Sequence, residues 1–348
     1  MVLLHNEKED ALVQPITTTQ PGAPVMTQAT DSRDTASVVL RTHGLRKQYG
    51  RVTAVQDVSI TVQHGDVFGF LGPNGSGKTT TVAMILSLIE PTAGSVELFG
   101  QTTREGRYRA LHRVGSIIES PAFYPFLSGR DNLRVVARLR GVPMVRVVEV
   151  LDQVFLSDRA DRKYSAYSLG MKQRLAIGAA LLNDPELLML DEPTNGLDPE
   201  GMVEVRNLTL HLASLGKTIF LCSHLLAEVQ QVCTRVAFIN RGVIVKQGTT
   251  EDLLRTDNTH YLEVDDLPRA MDFLRRSPYI TEVRPEGRGL QITCTGECAA
   301  NVAAALIGGG FRLSRLQPIE TSLESIYLEL VGADAQQPGM PAGPIGRS

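Results

Sequence analysis

The sequence predicts an α/β domain with a largely parallel sheet, because short strand-like apolar runs alternate with longer helical patterns. The early strand-like runs cover residues 38–41, 58–62 and 67–71, and a helical pattern follows over 79–88. Two later apolar runs, 185–191 and 218–223, end in polar residues at Asp191 and Ser223. Because buried parallel strands carry chemistry at their carboxyl ends, we expect a functional site along that edge.

Length and composition limit the classes of protein that fit. The residues are 43% hydrophobic and 21% charged, and this apolar fraction is enough for a buried core. With 348 residues, the chain is too long for one small domain. The 35 basic and 38 acidic residues nearly balance, which argues against a surface built to hold nucleic acid. No apolar run reaches the roughly 18–20 residues of a bilayer span, and the start does not resemble a signal peptide, so we expect a cytosolic chain.

The composition divides the chain into four parts. Residues 1–36 and 333–348 are rich in polar residues, Pro and Gly, which predicts two flexible tails. The main α/β domain is expected over 37–257. The pattern over 258–332 is strand, helix, two strands, helix and strand, followed by a helix over 322–331, which suggests a small ferredoxin-like domain.

The four cysteines, Cys222, Cys233, Cys294 and Cys298, are few and scattered. This pattern does not indicate a disulfide framework, and we expect reduced thiols with a structural role. Cys294 and Cys298 alone are too few ligands for a zinc site.

A glycine-rich loop follows the run over 67–71 and opens the helical pattern. The loop consists of Gly72, Pro73, Asn74, Gly75, Ser76, Gly77, Lys78, Thr79 and Thr80. This is the strand, loop and helix context of a Walker A motif, in which bare backbone N–H groups and a helix N-terminus surround phosphate oxygens. Lys78 supplies a cation for the β- and γ-phosphates, and the Thr79 hydroxyl is a ligand for magnesium.

A pair of carboxylates marks the end of the apolar run over 185–191. Asp191 has the position of a Walker B aspartate, which would hold magnesium, and Glu192 follows at once. Because the chain turns at the end of a strand, Glu192 can face the γ-phosphate and act as the base for the attacking water. Kinases, GTPases, helicases and transport ATPases all remain compatible with these two motifs.

A third motif separates these classes. Residues 167–174 read Tyr-Ser-Leu-Gly-Met-Lys-Gln-Arg, and with the two motifs above they resemble the ATP-binding subunit of an ABC transporter over residues 40–254. The resemblance implies that Ser168 and Gly170 reach the ATP held by the opposite subunit. Only these two residues match the usual Leu-Ser-Gly-Gly-Gln, and taken alone Ser168 equally fits an ordinary helix N-cap.

The resemblance assigns further positions. Asp198 corresponds to the D-loop at the dimer interface, and His224 to the switch histidine that orients the water together with Glu192. Tyr49 matches the aromatic residue that stacks on adenine, with Val55 beside the same ring, although taken alone Tyr49 fits ordinary packing.

The clearest departure from the family pattern is Glu119, which stands where the family has the glutamine of the Q-loop. A carboxylate keeps an oxygen for magnesium but loses the amide donor. Glu119 together with the altered signature resembles the bacterial exporters of bacitracin, lantibiotics and other antibiotics.

The resemblance implies a P-loop ATPase cassette, with a RecA-like core, an antiparallel β subdomain and a helical subdomain containing 123–140, plus the small C-terminal α+β domain. It implies an ATPase that uses ATP and Mg²⁺ and powers an exporter of antibiotics, antimicrobial peptides or other amphipathic compounds. The expected partners are a separate transmembrane permease and a second cassette, in a homodimer or a heterodimer, at the cytoplasmic side of the membrane, without nucleic acid.

Two alternative classes share part of this pattern. The first is a non-transport ABC protein of translation or DNA repair. Translation factors of this kind usually carry two cassettes in one chain, and repair proteins interrupt the cassette with a long coiled coil. This sequence shows neither feature. A GTPase or kinase is the second, and it is opposed by the signature and by the lack of a guanine-reading Asn-Lys-x-Asp motif.

Overall fold

The computed structural model describes residues 37–118, 123–254, 259–295, 298–319 and 322–335. The two predicted tails lie outside these ranges, apart from the end of the last helix at Ala335. The strands are β1 Val38–Tyr49, β2 Val52–Val58, β3 Thr61–Gln63, β4 Val67–Leu71, β5 Ala93–Leu98, β6 Val114–Ile117, β7 Leu187–Asp191, β8 Thr218–Ser223, β9 Arg235–Asn240, β10 Val243–Thr249, β11 Thr259–Val264, β12 Ile280–Glu286, β13 Gly289–Cys294 and β14 Leu313–Pro318. The helices are α1 Lys78–Ile85, α2 Arg104–Ala110, α3 Gly129–Arg140, α4 Val145–Gln153, α5 Leu169–Leu181, α6 Pro199–Ser214, α7 Leu226–Val232, α8 Thr250–Leu254, α9 Leu267–Arg275, α10 Ala299–Gly308 and α11 Leu323–Ala335.

The centre of the large sheet confirms the predicted parallel arrangement. Strands β9, β4, β8, β7 and β6 lie side by side in this order, and each neighbouring pair is parallel. Parallel neighbours bring their carboxyl ends to one edge, so the residues at or directly after the ends of β4, β7 and β8 converge there. These are the loop that begins at Gly72, the carboxylates Asp191 and Glu192, and His224.

The first part of the sheet is antiparallel. Strand β1 pairs antiparallel with β2, β3 and β5, and β10 pairs antiparallel with β9. The prediction of one strand over 58–62 is wrong, because β2 ends at Val58 and β3 begins at Thr61. The Thr42 hydroxyl donates to the Val58 carbonyl at 2.9 Å and accepts from the Ile60 N–H at 3.1 Å, so a side chain adds to the backbone hydrogen bonds between the two strands.

Both faces of the parallel strands are buried. Phe68, Phe70 and Phe220 pack on one face, while the alternate residues Leu71 and Leu188 pack on the other. Two apolar layers therefore cover the sheet, as is usual for parallel strands, and they hold the ends of the strands rigid.

Helices α3, α4 and α5 form a helical region beside the sheet. Arg174 on α5 is buried and donates to the carbonyl of Phe155, after α4, at 2.9 Å. It also forms an ion pair with Glu204 on α6 at 3.3 Å. One guanidinium group thus connects the helical region to a helix that follows β7.

The C-terminal residues form a four-stranded antiparallel sheet in the order β12, β13, β11, β14. Helices α9 and α10 contribute Ala270, Leu274, Val302 and Leu306 to its apolar core. The last helix returns to the main domain, where the Leu323 N–H donates to the Gln230 side chain at 3.0 Å. Tyr327 on the same helix stacks on Phe238, with 6.1 Å between ring centroids.

The expectation that all four cysteines are reduced thiols is wrong for one pair. The structure joins Cys294 and Cys298 as a disulfide, whereas Cys222 and Cys233 are free and buried. Cys294 ends β13 and Cys298 precedes α10, and this short connection places their Cα atoms 6.1 Å apart, within the range that a disulfide bridges. Among the described residues, no helix is both long and apolar enough to cross a membrane.

Candidate functional site

The phosphate-binding loop lies between β4 and α1, and its glycines are required by close backbone contacts. A Cβ atom at Gly72 would collide with the carbonyl oxygen of Ile239. Gly77 has φ of 106°, and a Cβ atom there would lie 2.8 Å from the Ala54 carbonyl oxygen. The loop therefore packs tightly against neighbouring backbone, which fixes its shape at the start of the helix.

The remaining loop residues differ in exposure. Pro73, Asn74 and Gly75 are exposed at the tip, whereas the Ser76 side chain is buried. Ser76 Oγ has no hydrogen-bond partner among the described residues. Thr79 is exposed and Thr80 is half-buried. The exposed tip and the start of α1 are thus the parts of the loop that can contact a ligand.

Lys78 is buried and has three oxygen neighbours. Its Nζ atom donates to the carbonyl of Gly72 at 2.8 Å and to that of Pro73 at 3.3 Å. It also lies 3.1 Å from Oε1 of Glu192. The ammonium group is therefore held between the loop and the end of β7, as expected of a cation that acts on phosphates within this loop.

Glu192 is turned toward the same point by its backbone. It has φ of 49°, an uncommon value for a residue with a side chain, and its N–H donates to the Cys222 carbonyl at 3.0 Å. Its Oε2 lies 2.7 Å from Nδ1 of His224. This distance fits a hydrogen bond in which an imidazole N–H donates to the carboxylate oxygen. The predicted base is thus held between Lys78 and His224.

Asp191 and Thr79 are in direct contact, since the Thr79 hydroxyl donates to Asp191 Oδ2 at 2.8 Å. The other oxygen, Oδ1, is buried without a hydrogen-bond partner among the described residues. Burial raises the pKa of Asp191 above its ordinary value, and the charge of Glu192 adds to this, while Thr79 and Lys78 act in the opposite direction. A hydroxyl and a desolvated carboxylate with an unpaired oxygen suit Mg²⁺, because a divalent cation would compensate the buried charge.

The two residues assigned to the adenine differ in exposure. Tyr49 ends β1 with 49% of its surface exposed, and the Lys47 ammonium lies 5.1 Å from its ring centroid. Its ring can therefore stack on a flat ligand. Val55 is fully buried, and a Cβ atom added to Gly77 would lie 3.1 Å from it. Val55 therefore lies beneath the loop and packs against its backbone.

Ser168, Gly170 and Asp198 line a second groove, together with Gly196 and Gly201. Ser168 is the N-cap of α5 and accepts from the Met171 N–H at 3.1 Å. Asp198 is the N-cap of α6 and accepts from the Gly201 N–H at 2.9 Å. The groove thus contains the N-termini of two helices, and both favour an anion.

Glu119 and Tyr327 differ in what the structure describes of them. Glu119 lies outside the described residues. Tyr327 was not expected near the site, yet it lines a cavity with Pro73, Asn74 and His224. Burial raises the pKa of Tyr327 above its ordinary value. The helix that carries Tyr327 was predicted, but no sequence pattern indicated where it packs.

Comparison with known proteins agrees with this geometry. The family model described as ABC transporter matches residues 55–195. The bacitracin transport ATP-binding protein BcrA of Enterococcus faecalis is 38% identical over 84% of this chain and 96% of its own length. The lantibiotic transport ATP-binding protein SrtF of Streptococcus pyogenes is 41% identical over 60% of this chain and 89% of its own.

Solved structures agree as well. The ADP conformation of MJ1267, an ATP-binding cassette of an ABC transporter, has a TM-score of 0.58 and 25% identity, and covers 62% of this chain and 92% of its own. CbiO1 from Clostridium perfringens, part of the ABC transporter complex cbiONQ, has the same TM-score and identity, and covers 62% of this chain and 90% of its own. These findings do not favour translation or DNA repair. The chain belongs to the ATP-binding subunits of the ABC transporters and is an ATPase.

Proposed function

We propose that this subunit powers an exporter of an antibiotic, an antimicrobial peptide or another amphipathic compound. The support is the extent of the similarity to proteins named for bacitracin transport, which covers 84% and 85% of this chain for two relatives at 38% identity. The solved cassettes cover only 62%. The likeness to the bacitracin proteins therefore extends past the cassette into the C-terminal region.

The observation that carries the proposed chemistry is the carboxylate of Glu192 between Lys78 and His224. Glu192 accepts a proton from the water that attacks the γ-phosphate. His224 holds Glu192 by its 2.7 Å hydrogen bond, and Lys78 balances negative charge on the β- and γ-phosphates. The loop from Gly72 to Thr80 surrounds these phosphates with backbone N–H groups.

Magnesium would be held by Thr79, Asp191 and Glu119. The contact between the Thr79 hydroxyl and Asp191, and the unpaired Oδ1 atom of Asp191, support the first two of these ligands. The ion, when bound, neutralises charge on the transferred phosphate. Tyr49 would stack on the adenine.

The second groove, at Ser168, Gly170 and Asp198, would bind the ATP of a second copy of the chain. Supporting this role, both helix N-termini are present and Ser168 and Asp198 are exposed. Two identical chains would then form two sites. ATP favours the closed pair, and hydrolysis removes the γ-phosphate contacts that keep it closed.

The cassette would occupy residues 37–257 and a ferredoxin-like domain residues 258–332, with tails at 1–36 and 333–348. The strand order of the C-terminal sheet supports a ferredoxin-like assignment. The subunit would bind a separate permease on the cytoplasmic side of the membrane. The helical region after Phe123 would make that contact, and the exposure of Phe126, at 68%, supports it.

Affinity purification of the tagged full chain from its native membranes, followed by mass spectrometry, tests the transport role. We expect recovery of a membrane protein with several spans. Phe126→Asp should reduce this recovery, whereas Tyr279→Asp, at an exposed aromatic residue of the C-terminal domain, should not. Recovery of ribosomes or DNA without a membrane protein would contradict the proposal.

A further inference from the structure

One corner of the C-terminal core contains three residues whose side chains are metal-binding types. His260 lies on β11, Cys294 ends β13, and Cys298 is the residue before α10. His260 is paired with Ile292 across the two strands, and Cys294 lies two residues after Ile292. Because side chains alternate along a strand, Ile292 and Cys294 face the same side of the sheet, toward the apolar core.

The three side chains meet closely. One nitrogen of the His260 ring and the two Sγ atoms all lie within 4.8 Å of one another. His260 is 9% exposed, and Cys294 and Cys298 are 4% and 1% exposed. Both cysteines belong to the apolar core cluster that also contains Leu262 and Val302. An imidazole and two sulfurs are therefore gathered inside an otherwise apolar core.

We propose that His260, Cys294 and Cys298, when the two thiols are reduced, form a binding site for a thiophilic d¹⁰ cation, Zn²⁺ or Cu⁺. Thiolate and imidazole are the ligands that these ions prefer, and carboxylate-binding ions such as Mg²⁺ are disfavoured. The site is separate from the ATPase machinery and does not depend on the proposed transport role.

The size of the cluster suits such an ion. With metal–sulfur bonds of about 2.3 Å and metal–nitrogen bonds of about 2.0 Å, ligand atoms around a tetrahedral zinc lie roughly 3.5–3.8 Å apart. Ligand atoms within 4.8 Å reach this spacing by small side-chain movements once the sulfurs separate. Three ligands complete a trigonal Cu⁺ site, and Zn²⁺ would add a water molecule. The apolar surroundings would limit access of bulk water and of competing ligands to the bound ion.

The disulfide in the structure is the oxidised, metal-free state of the same three residues. A dithiol reductant transfers two electrons and two protons to the disulfide, which gives two thiols and leaves the reductant as a cyclic disulfide. Binding of Zn²⁺ to both thiols then releases two protons as the two metal–sulfur bonds form. Oxidation and metal binding therefore exclude each other.

Metal content of the full chain tests the proposal. The protein is reduced with a dithiol, incubated with Zn²⁺ without oxygen, separated from free metal in a weak chelator, and analysed for bound zinc. We expect one zinc per chain after reduction and none in the oxidised protein. A parallel experiment with Cu⁺ distinguishes the two ions. Each loaded protein is then treated with increasing concentrations of a strong chelator, and the ion that stays bound at the higher concentration is the preferred occupant.

Variants assign the ligands. Cys298→Ala and His260→Phe should each weaken zinc binding by about a hundredfold or more, because loss of even a supporting residue costs 10- to 100-fold. Cys233→Ala is the matched control, since Cys233 is buried in the main domain and burial raises the pKa of its thiol, which keeps it protonated. The control should bind zinc like the unmodified chain.

Cobalt spectroscopy of the unmodified chain covers the case in which a variant does not fold. Co²⁺ bound by two thiolates shows charge-transfer absorption in the near ultraviolet, and reduced protein should develop it while oxidised protein should not. The proposal is overturned if reduced protein shows neither this absorption nor more zinc or copper than the oxidised protein.

Discussion

At the scale of single residues, the site depends on the direction of one carboxylate. The sequence predicts two acids at the end of a buried strand, and their assignment to a metal ligand and a base follows from the change of direction there. The structure adds the φ of 49° at Glu192 and the hydrogen bond from its N–H to Cys222. Neither could be read from the sequence, because neighbours in space determine whether a residue other than glycine adopts the left-handed backbone conformation.

The burial of Val55 could not be read from the sequence either. The family pattern places it beside the adenine, yet its side chain is fully buried below Gly77. A strand residue has two possible faces, and a one-residue difference in register decides which of them is buried. Residue roles that depend on exposure are therefore less predictable than roles that depend on position at the end of a strand.

Glu192→Gln should lower ATP hydrolysis by about a hundredfold or more, because an amide does not accept the proton of the attacking water. ATP affinity should remain, since the loop and Lys78 are unchanged. Steady-state phosphate release and nucleotide binding measure the two effects. Glu105→Gln, which changes an exposed glutamate paired with Arg109, is the control and should keep full activity. Retained turnover in Glu192→Gln would show that another group is the base.

At the scale of elements, the parallel strands were predictable and the docking of the last helix was not. Strands β4, β7 and β8 are short, mostly apolar runs, and β7 and β8 end in the polar residues Asp191 and Ser223, so sequence and structure agree on them. Helix α11 was expected as a helix, but its contacts with Gln230 and Phe238 join parts of the chain that are distant in sequence. Tertiary packing of this kind leaves no local pattern.

The phosphate-binding loop gives a prediction at this scale. Gly72→Ala should disrupt the loop, because the added Cβ would collide with the Ile239 carbonyl and lie 2.8 Å from Ser76 Oγ. We expect a loss of about 1–3 kcal/mol in the free energy of unfolding and much weaker ATP binding. Denaturant unfolding and nucleotide titration measure these changes.

Gly75→Ala is the matched control. Its Cβ would meet no atom within 4 Å, so only the positive φ of 78° opposes the substitution. The expected loss is about 1–2 kcal/mol from that backbone conformation, with ATP binding largely retained. Equal loss of binding in both variants would contradict the view that close packing at Gly72 shapes the loop.

At the scale of the whole molecule, two separate surfaces carry the motifs. The phosphate loop, Glu192 and His224 converge at the carboxyl ends of the parallel strands, whereas Ser168, Gly170 and Asp198 line another groove. The ion pair between Arg174 and Glu204 joins the helix that begins at Leu169 to the helix that follows Asp198. This ion pair links the two helices whose N-termini line the second groove.

We expect two chains together to hydrolyse each ATP, with Lys78, Glu192 and His224 from one chain and Ser168 and Gly170 from the other. Two variants with different tags, Lys78→Ala and Gly170→Asp, test this sharing of residues. The second variant places a carboxylate near Glu204. Each alone should be inactive. In mixed dimers isolated through both tags, one site combines both defects and the other has none.

The measurement is the ATPase rate of these mixed dimers compared with the unmodified protein. We expect about half of the unmodified rate, because one of the two sites in each mixed dimer is intact. A mixed dimer as inactive as either variant alone would contradict it, and so would full activity in the Gly170→Asp variant by itself.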